Sequence, residues 1–453
     1  MTETLHFERA LLPEGWADNV RLTLADGKIA RIKRAVSPAL GDERHAIGLP
    51  GLPNLHSHAF QRGMAGLAEI RGPAGDSFWT WREIMYRFVD RLSPDDLSAI
   101  AALAYVEMLE SGFTRVGEFP YLHHGTDGSG FDNPAEMSLA IIEAAAHTGI
   151  ALTHLPVFYA HSGFGGMAPG AGQRRFISHL DGFAKLLDAV RDAASATLPD
   201  AVVGIAPHSL RAVAPDQLVA LEQLAGTAPI HIHIAEQTRE VADCVAWSGA
   251  RPVEWLLSHA PVDRRWCLVH ATHMTPEETT AMARSGAVAG LCPITEANLG
   301  DGLFTASEFI AAGGAYGIGS DSNVLISAAE ELRLLEYGQR LTRQGRNVLA
   351  LEAGRSTGEE LYQAALEGGS RALGVAGGIE PGAAADLVSL DASHPSFHAK
   401  ASNPLDAFIF ASAQGAVDCV WRRGDRVVEG GRHRLRDAVA DRYKQVLGRL
   451  LSA

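Results

Sequence analysis

A three-part unit repeats over about 300 residues of this sequence: a helix, a glycine that stops it, and a short apolar strand. One helix has Ser93 as its cap and Pro94 as its first residue, and it stops at Gly112 before the strand TRVGEF. Thr275 and Gly286 bracket another helix ahead of AVAGLCP. Helices that alternate with short buried strands are typical of βα units, which build a parallel sheet. The repeat therefore predicts an α/β protein.

A closed barrel explains the repeat better than an open sheet. No GxGxxG turn follows the first apolar strand, as it would in a dinucleotide-binding sheet. Polar residues instead follow many of the strands, and a barrel brings all of those strand ends to one rim. We therefore predict a (β/α)8 TIM barrel over residues 49–380.

The two ends of the sequence follow a different pattern. Residues 1–48 contain VRLTLADGKIARIKRA, in which Asp26 and Gly27 mark a tight hairpin between alternating apolar positions. Residues 381–453 return to short alternating segments in GAAADLVSLD and CVWRRGDRVVEGGR, followed by a terminal helix. The simplest arrangement joins both ends into one small β-sandwich domain.

Composition excludes several classes of partner. The formal net charge of -14 argues against nucleic acid, whose binding requires clustered Lys and Arg. The N-terminus lacks a signal-peptide pattern, and no run of about 18 apolar residues occurs, so we expect neither export nor a membrane. The four cysteines form no CxxC pair, which fits a reducing cytoplasm. We therefore predict a cytoplasmic protein that binds neither nucleic acid nor a membrane.

The segment LPGLPNLHSHAF places His56 and His58 at the end of an apolar run. Side chains two residues apart on a strand project to the same side, so both imidazoles can bind one metal ion. An isolated pair of this kind is more often one buried and one solvated histidine. The pair therefore indicates a metal site only if other segments supply further ligands.

Other strands also end in polar residues. His231, His233 and Glu236 lie in PIHIHIAEQ, His270 ends CLVHATH, and Asp321 lies in GIGSDSN. Such groups are rarely buried without a function, and a barrel brings them together at its rim.

Imidazoles and a carboxylate without thiolates suit Zn²⁺, with Fe²⁺ or Mn²⁺ as alternatives. Such an ion lowers the pKa of bound water from 15.7 to about 7. The pattern therefore predicts a hydrolytic site.

Longer strings carry a resemblance to a known family. PGLPNLHSHAFQRGMAGLAE, HIHIAEQ, LVHATH, TEANLGDG and GIGSDS resemble the amidohydrolase superfamily. DSFWTWRE, GQRRFI and HSLRAV resemble, within it, the formimidoylglutamate deiminases of histidine breakdown. The resemblance covers nearly the whole chain. It implies a metal-bearing barrel with a flanking β-sandwich, and we expect a homodimer.

The resemblance also implies roles for individual residues. The implied ligands of one divalent ion, Zn²⁺, are His56, His58, His233 and Asp321. Glu236 and His270 would transfer protons, and Asp321 would also accept a hydrogen bond from the nucleophile. His231 would point away from the metal and pack with its ring hydrogen-bonded. The fourth strand has no carbamylated-lysine signal, so a single ion is expected.

The implied substrate is N-formimino-L-glutamate, which would be hydrolysed to N-formyl-L-glutamate and ammonia. The positions that would contact it are Gln61, Arg82, Tyr121, His208 and Arg211. The chain departs from the family pattern at Asn323, where relatives carry a histidine, and at Pro293 and Ile294, where small polar residues are usual.

Two other functions fit the sequence less well. A nucleobase or other amidine deaminase would keep the barrel, but a purine pocket favours aromatic and amide contacts over arginine. A barrel without catalysis, acting in assembly, would not need all four ligands and both proton-transfer residues. An assay of metal content and ammonia release separates the three functions.

Overall fold

The computed structural model describes residues 3–73, 75–398, 403–412 and 415–452. Its strands, numbered along the chain, are β1 (Glu3–Leu12), β2 (Gly15–Ala25), β3 (Lys28–Lys33), β4 (Glu43–Pro50), β5 (Leu52–Ser57), β6 (Phe113–Glu118), β7 (Ala151–His154), β8 (Val157–Phe158), β9 (Val202–Val203), β10 (Ala206–Pro207), β11 (Ile230–Ile234), β12 (Trp266–His270), β13 (Val288–Leu291), β14 (Ala315–Ile318), β15 (Leu387–Leu390), β16 (Val417–Arg422), β17 (Asp425–Glu429) and β18 (Arg432–His433).

The helices surround these strands. They are α1 (Phe78–Val89), α2 (Pro94–Glu110), α3 (Glu136–Thr148), α4 (Leu180–Thr197), α5 (Pro215–Ala225), α6 (Thr238–Ser248), α7 (Pro252–His259), α8 (Pro276–Ser285), α9 (Pro293–Leu299), α10 (Ala306–Ala311), α11 (Ala328–Arg343), α12 (Thr357–Ala372), α13 (Pro404–Ala411) and α14 (Arg436–Ser452), with 3₁₀ turns at Ala59–Met64, Ala171–Gln173 and Pro395–Phe397. Within the described ranges, none of these helices combines the length and the apolar character that a membrane span requires.

The two ends of the chain share one eight-stranded sheet, in the order β18-β17-β16-β15-β4-β1-β2-β3. The predicted hairpin joins β2 to β3, and Asp26 and Gly27 both adopt positive φ, 53° and 76°, as a two-residue hairpin turn requires. The sheet packs a core of its own, which includes Phe7, Val20 and Trp421. The prediction that both termini build one β-structure is confirmed.

A parallel barrel lies between the two halves of that sheet in sequence. Its eight positions are β5, β6, β7 with β8, β9 with β10, and then β11, β12, β13 and β14. Bridges between Ile205 and Ile230 and between Ser57 and Asp321 complete the ring. Because each strand is followed by a helix and then by its parallel neighbour, the fold class predicted from the repeat is confirmed.

The predicted helix signals have the expected local chemistry. The Ser93 hydroxyl accepts a hydrogen bond from the Asp96 N–H at 3.2 Å, and the Thr275 hydroxyl accepts one from the Glu278 N–H at 3.2 Å. Gly286 ends its helix with a φ of 83°, which L side chains rarely adopt. In these helices, caps and a glycine stop therefore define where the helix begins or ends.

Helix α12 packs against β14 through a glycine, and this contact supports the strand that precedes Asp321. A methyl group at Gly368 would overlap the carbonyl group of Tyr316, which belongs to the rigid barrel. We expect Gly368→Ala to lower the free energy of unfolding by about 3 kcal/mol, because the helix must move off the strand. Urea denaturation of purified protein measures the change.

Gly448 in α14 is the matched control for this substitution. A methyl group there meets no atom within 4 Å, so Gly448→Ala should leave stability unchanged or raise it by up to about 1 kcal/mol. Equal stability of the Gly368 variant and the wild type would contradict the close helix–strand contact.

Candidate active site

Four side chains converge at the C-terminal rim of the barrel. The Nε2 atoms of His56, His58 and His233 lie 3.1 to 3.4 Å from one another. Asp321, which follows β14, places Oδ1 3.5 Å from the His56 Nε2 and 3.3 Å from the His58 Nε2. All four residues are buried. Segments far apart in sequence thus supply one compact set of three nitrogens and one oxygen.

Backbone carbonyls orient two of these rings. The Nδ1 of His58 lies 2.9 Å from the Phe119 carbonyl oxygen, and the Nδ1 of His233 lies 3.1 Å from that of His208. Each Nδ1 therefore carries the proton and donates it, which leaves the Nε2 lone pair facing the centre of the group. Lone pairs at such separations repel one another unless a cation lies between them.

The spacing and the electrostatics of the group fit a metal ion. A tetrahedral Zn²⁺ with bonds of about 2.05 Å to nitrogen separates its ligand atoms by about 3.3 Å, close to the distances above. Burial lowers the pKa of His56 to about 3, so its ring is neutral at physiological pH. Burial alone would raise the pKa of Asp321, but the His56 hydrogen bond and nearby imidazoles hold it below its usual value. The group therefore offers neutral imidazoles and an ionised carboxylate.

A second cluster lies beside this group. His270 ends β12, and its Nε2 lies 3.8 Å from the Glu236 Oε1 and 3.8 Å from the Asp321 Oδ2. Burial by itself lowers the pKa of His270, but Glu236 and the neighbouring carboxylates raise it to about 10. Burial raises the pKa of Glu236. An acid and a base of this kind can exchange protons with a molecule bound next to the metal ligands.

Glu296 is a neighbour of this cluster that sequence reasoning missed. Its Oε1 lies 3.3 Å from the His270 Nδ1 and accepts a hydrogen bond from the Cys292 N–H at 2.9 Å. Glu296 lies in TEANLGDG, but the motif does not reveal that α9 turns this side chain toward β12. Only the packing of α9 places it there.

A cleft opens above the two clusters. All five positions expected to contact substrate line it, namely Gln61, Arg82, Tyr121, His208 and Arg211. The Gln61 amide donates to the Tyr121 hydroxyl at 2.9 Å, and burial lowers the pKa of His208. The structure therefore brings the predicted contact residues to one cleft.

The guanidinium groups of Arg82 and Arg211 both pack over the ring of Trp79. The Cζ of Arg82 lies 4.6 Å from the Trp79 ring centre, and the Cζ of Arg211 lies 5.8 Å from it. The Nε atoms of both arginines are buried and have no hydrogen-bond partner among the described residues. Sequence reasoning also missed Arg239, which stacks on the same indole at 4.6 Å. Arg82 and Arg211 thus have N–H donors available for an anionic ligand.

His231 does not belong to the metal-ligand group. Because it lies two residues before His233 on β11, its side chain is on the same face of the strand, but nearer the N-terminal end of the barrel. Its Nε2 lies 2.8 Å from the Ala372 carbonyl oxygen, so its ring is hydrogen-bonded as predicted. Its distance along the strand keeps its ring away from the metal-ligand group at the rim.

The departures from the family pattern lie behind the cleft surface. The Asn323 amide donates to the Ser57 hydroxyl and to the His58 carbonyl, both at 3.1 Å, and ties the end of β14 to that of β5. Pro293 begins α9, and the Ile294 N–H donates to the Glu331 carboxylate at 2.9 Å. These residues brace the rim and do not line the cleft.

Comparison with known proteins gives consistent matches. The amidohydrolase family profile matches residues 47–427, and the profile of the formimidoylglutamate deiminase HutF N-terminal domain matches residues 2–46. The chain is 52% identical over 452 residues to a formimidoylglutamate deiminase from Pseudomonas aeruginosa, and the match covers 98% of each chain.

Two solved structures are also similar. An amidohydrolase from Brucella melitensis is 56% identical, with a TM-score of 0.96 over 99% of this chain and 100% of that one. An adenosine deaminase from Xanthomonas campestris with bound zinc is 23% identical, with a TM-score of 0.81 over 99% and 98%. The second similarity concerns the fold alone.

Proposed function

Because this chain belongs to the amidohydrolase family, we propose that it hydrolyses N-formimino-L-glutamate to N-formyl-L-glutamate and ammonia, a reaction of histidine degradation. One observation carries the proposal: two arginines with free donors, Arg82 and Arg211, share a cleft with a His/Asp group and an acid–base pair. The substrate has two carboxylates and one amidine carbon, so it needs both parts of that cleft. The P. aeruginosa relative and the matching N-terminal domain support the same reaction.

We assign one divalent ion, Zn²⁺, to His56, His58, His233 and Asp321. The three imidazole Nε2 atoms and the Asp321 Oδ1 lie close enough together to bind one such ion. When bound, such an ion acts as a Lewis acid and lowers the pKa of water, which makes hydroxide available at neutral pH.

The chain's own residues move the protons. Water oxygen forms a bond to the formimino carbon, the bond from that carbon to the terminal nitrogen breaks, and ammonia leaves. Glu236 and His270 take the proton from water and deliver protons to the departing nitrogen, since both lie at the rim next to Asp321. Asp321 also accepts a hydrogen bond from the attacking water.

Arg211 is expected to grip one carboxylate of the substrate through two parallel hydrogen bonds. Removing this charged, desolvated contact should weaken binding by roughly 1.5 to 3 kcal/mol, which is a loss of about 10- to 150-fold in kcat/KM. Arg211→Met should show the full loss. Arg211→Lys should recover only part of it, because an ammonium lacks the planar fork.

The measurement is kcat/KM of the wild type and of both Arg211 variants on N-formimino-L-glutamate and on a formamidine analogue that has no carboxylate. A large loss of kcat/KM on N-formimino-L-glutamate and a small loss on the analogue would support the contact between Arg211 and the substrate carboxylate. An equal loss of kcat/KM on both substrates would mean that Arg211 maintains the local fold, and the proposal would lose its main physical support.

The proposed reaction is tested directly by an ammonia-release assay. Wild-type enzyme is offered N-formimino-L-glutamate, guanine, cytosine and adenosine under the same conditions. The highest kcat/KM should be on the amidine, while a preference for a nucleobase would favour the alternative deaminase. Absence of bound metal after mild purification would instead favour a barrel without catalysis.

We further propose that the enzyme works in the cytoplasm as a homodimer, with a barrel over residues 49–380 and a β-domain from 1–48 and 381–453. All four cysteines are buried and unpaired, which suits a reducing compartment. Sedimentation analysis of the purified protein tests the dimer.

A further inference from the structure

Glu240 is a buried carboxylate for which the proposed reaction has no role. It lies in the first turn of α6 and has no solvent-exposed surface. Ionised carboxylates are rarely buried to this extent unless specific donors surround them. The partners of Glu240 therefore indicate what it does.

Both carboxylate oxygens accept hydrogen bonds from one short turn. The Ala235 N–H donates to Oε1 and the Glu236 N–H donates to Oε2, each at 3.3 Å. This turn joins the strand that carries His233 to the residue assigned to proton transfer. The N-terminal end of α6 also favours a negative charge at this position.

The turn held by Glu240 has an unfavourable backbone conformation. Ala235 has a φ of 51°, in the left-handed region that residues with a side chain seldom adopt. The His273 N–H also donates to the Ala235 carbonyl at 3.0 Å. With the turn in this conformation, the Glu236 carboxylate lies 3.8 Å from the His270 Nε2. If Ala235 left the left-handed region, the Glu236 carboxylate would no longer face His270.

We propose that Glu240 is a positioning residue, whose carboxylate holds the left-handed Ala235–Glu236 turn and thereby aims Glu236 at His270 and the reacting carbon. This inference rests on the proposed role of Glu236. Glu240 itself does not line the cleft.

Glu240→Gln is the most informative variant, because it keeps the shape and replaces one acceptor oxygen with an NH₂ donor. One backbone N–H then loses its acceptor, and the turn relaxes. We expect kcat on N-formimino-L-glutamate to fall at least 10-fold, while KM stays within threefold and metal content stays at the wild-type value. Glu240→Asp, which keeps the charge on a shorter side chain, should lose less activity and serves if the glutamine variant folds poorly.

Glu278→Gln is the matched control. Glu278 is also a buried carboxylate in a first helical turn, and it accepts from the Thr275 N–H at 2.9 Å and the Glu254 N–H at 3.2 Å. It does not line the cleft. Its loss should lower the melting temperature but leave the kcat of folded enzyme within twofold of wild type. A merely structural role for Glu240 would give the same result.

A crystal structure of the Glu240→Gln variant separates this inference from the proposed reaction. A displaced Glu236 carboxylate with intact His56, His58 and His233 supports positioning, even if wild type prefers another substrate. An unmoved Glu236, or wild-type kcat in the variant, would overturn the inference. Inactive wild-type enzyme on N-formimino-L-glutamate would overturn only the reaction.

Discussion

Replacing His233 with alanine is expected to remove bound metal and hydrolysis together. The His233 Nε2 lies within 3.4 Å of the two other imidazole nitrogens, so its loss opens one corner of the four-atom group. Three remaining ligands bind Zn²⁺ less tightly, and the two imidazoles then face a gap. We expect less than a tenth of the wild-type metal content after dialysis and no ammonia release above background.

His231→Ala is the control for this experiment, since the same substitution is made on the same strand. His231 loses its hydrogen bond to the Ala372 carbonyl, so stability should fall while metal remains bound. Elemental analysis and ammonia release are measured on folded protein of both variants. One metal per chain in the His233 variant would show that the assigned ligand set is wrong.

Glu236→Gln and His270→Asn are expected to keep the metal and lose turnover. Neither residue is required to complete the four-ligand group, but both lie beside it and hold exchangeable protons. Positioned acids and bases contribute about 10² to 10⁴ to the rate, so kcat should fall by that factor in each variant. Metal content should equal that of the wild type.

Ser322→Ala tests whether any change in the cleft has the same effect. Ser322 lines the cleft and bonds through its hydroxyl to that of Thr295 at 2.9 Å, without contact to a carboxylate of the acid–base pair. Its kcat should stay within about tenfold of wild type, as for loss of one neutral hydrogen bond. Rapid turnover in both the Glu236 and the His270 variants would refute their role in proton transfer.

Local signals accounted for most of the fold. Ser93 and Thr275 cap helices, Gly286 stops one, and Asp26 with Gly27 makes a hairpin, because each effect depends on a few neighbouring atoms. The repetition of these signals was sufficient to predict βα units and a barrel.

Side-chain orientation was less accessible to sequence reasoning. The alternation of β11 places His231 and His233 on one face, yet only His233 reaches the rim. Which of the two histidines reaches the rim depends on how far β11 extends beside its neighbouring strands. The periodicity of the sequence does not reveal this register. Glu296 and Glu240 were missed for a related reason, since helices α9 and α6 carry them to partners on other strands or turns.

The sequence by itself determined the element order, the joining of both termini in one β-structure, and the presence of polar groups at strand ends. These properties follow from local propensity and from the rule that parallel strands share a rim. Only the tertiary structure decided which nitrogens lie 3.1 to 3.4 Å apart, that Trp79 stacks on Arg82, and that Asn323 braces the rim. Such contacts join residues up to 266 positions apart, and their geometry is set by the packing of the whole barrel.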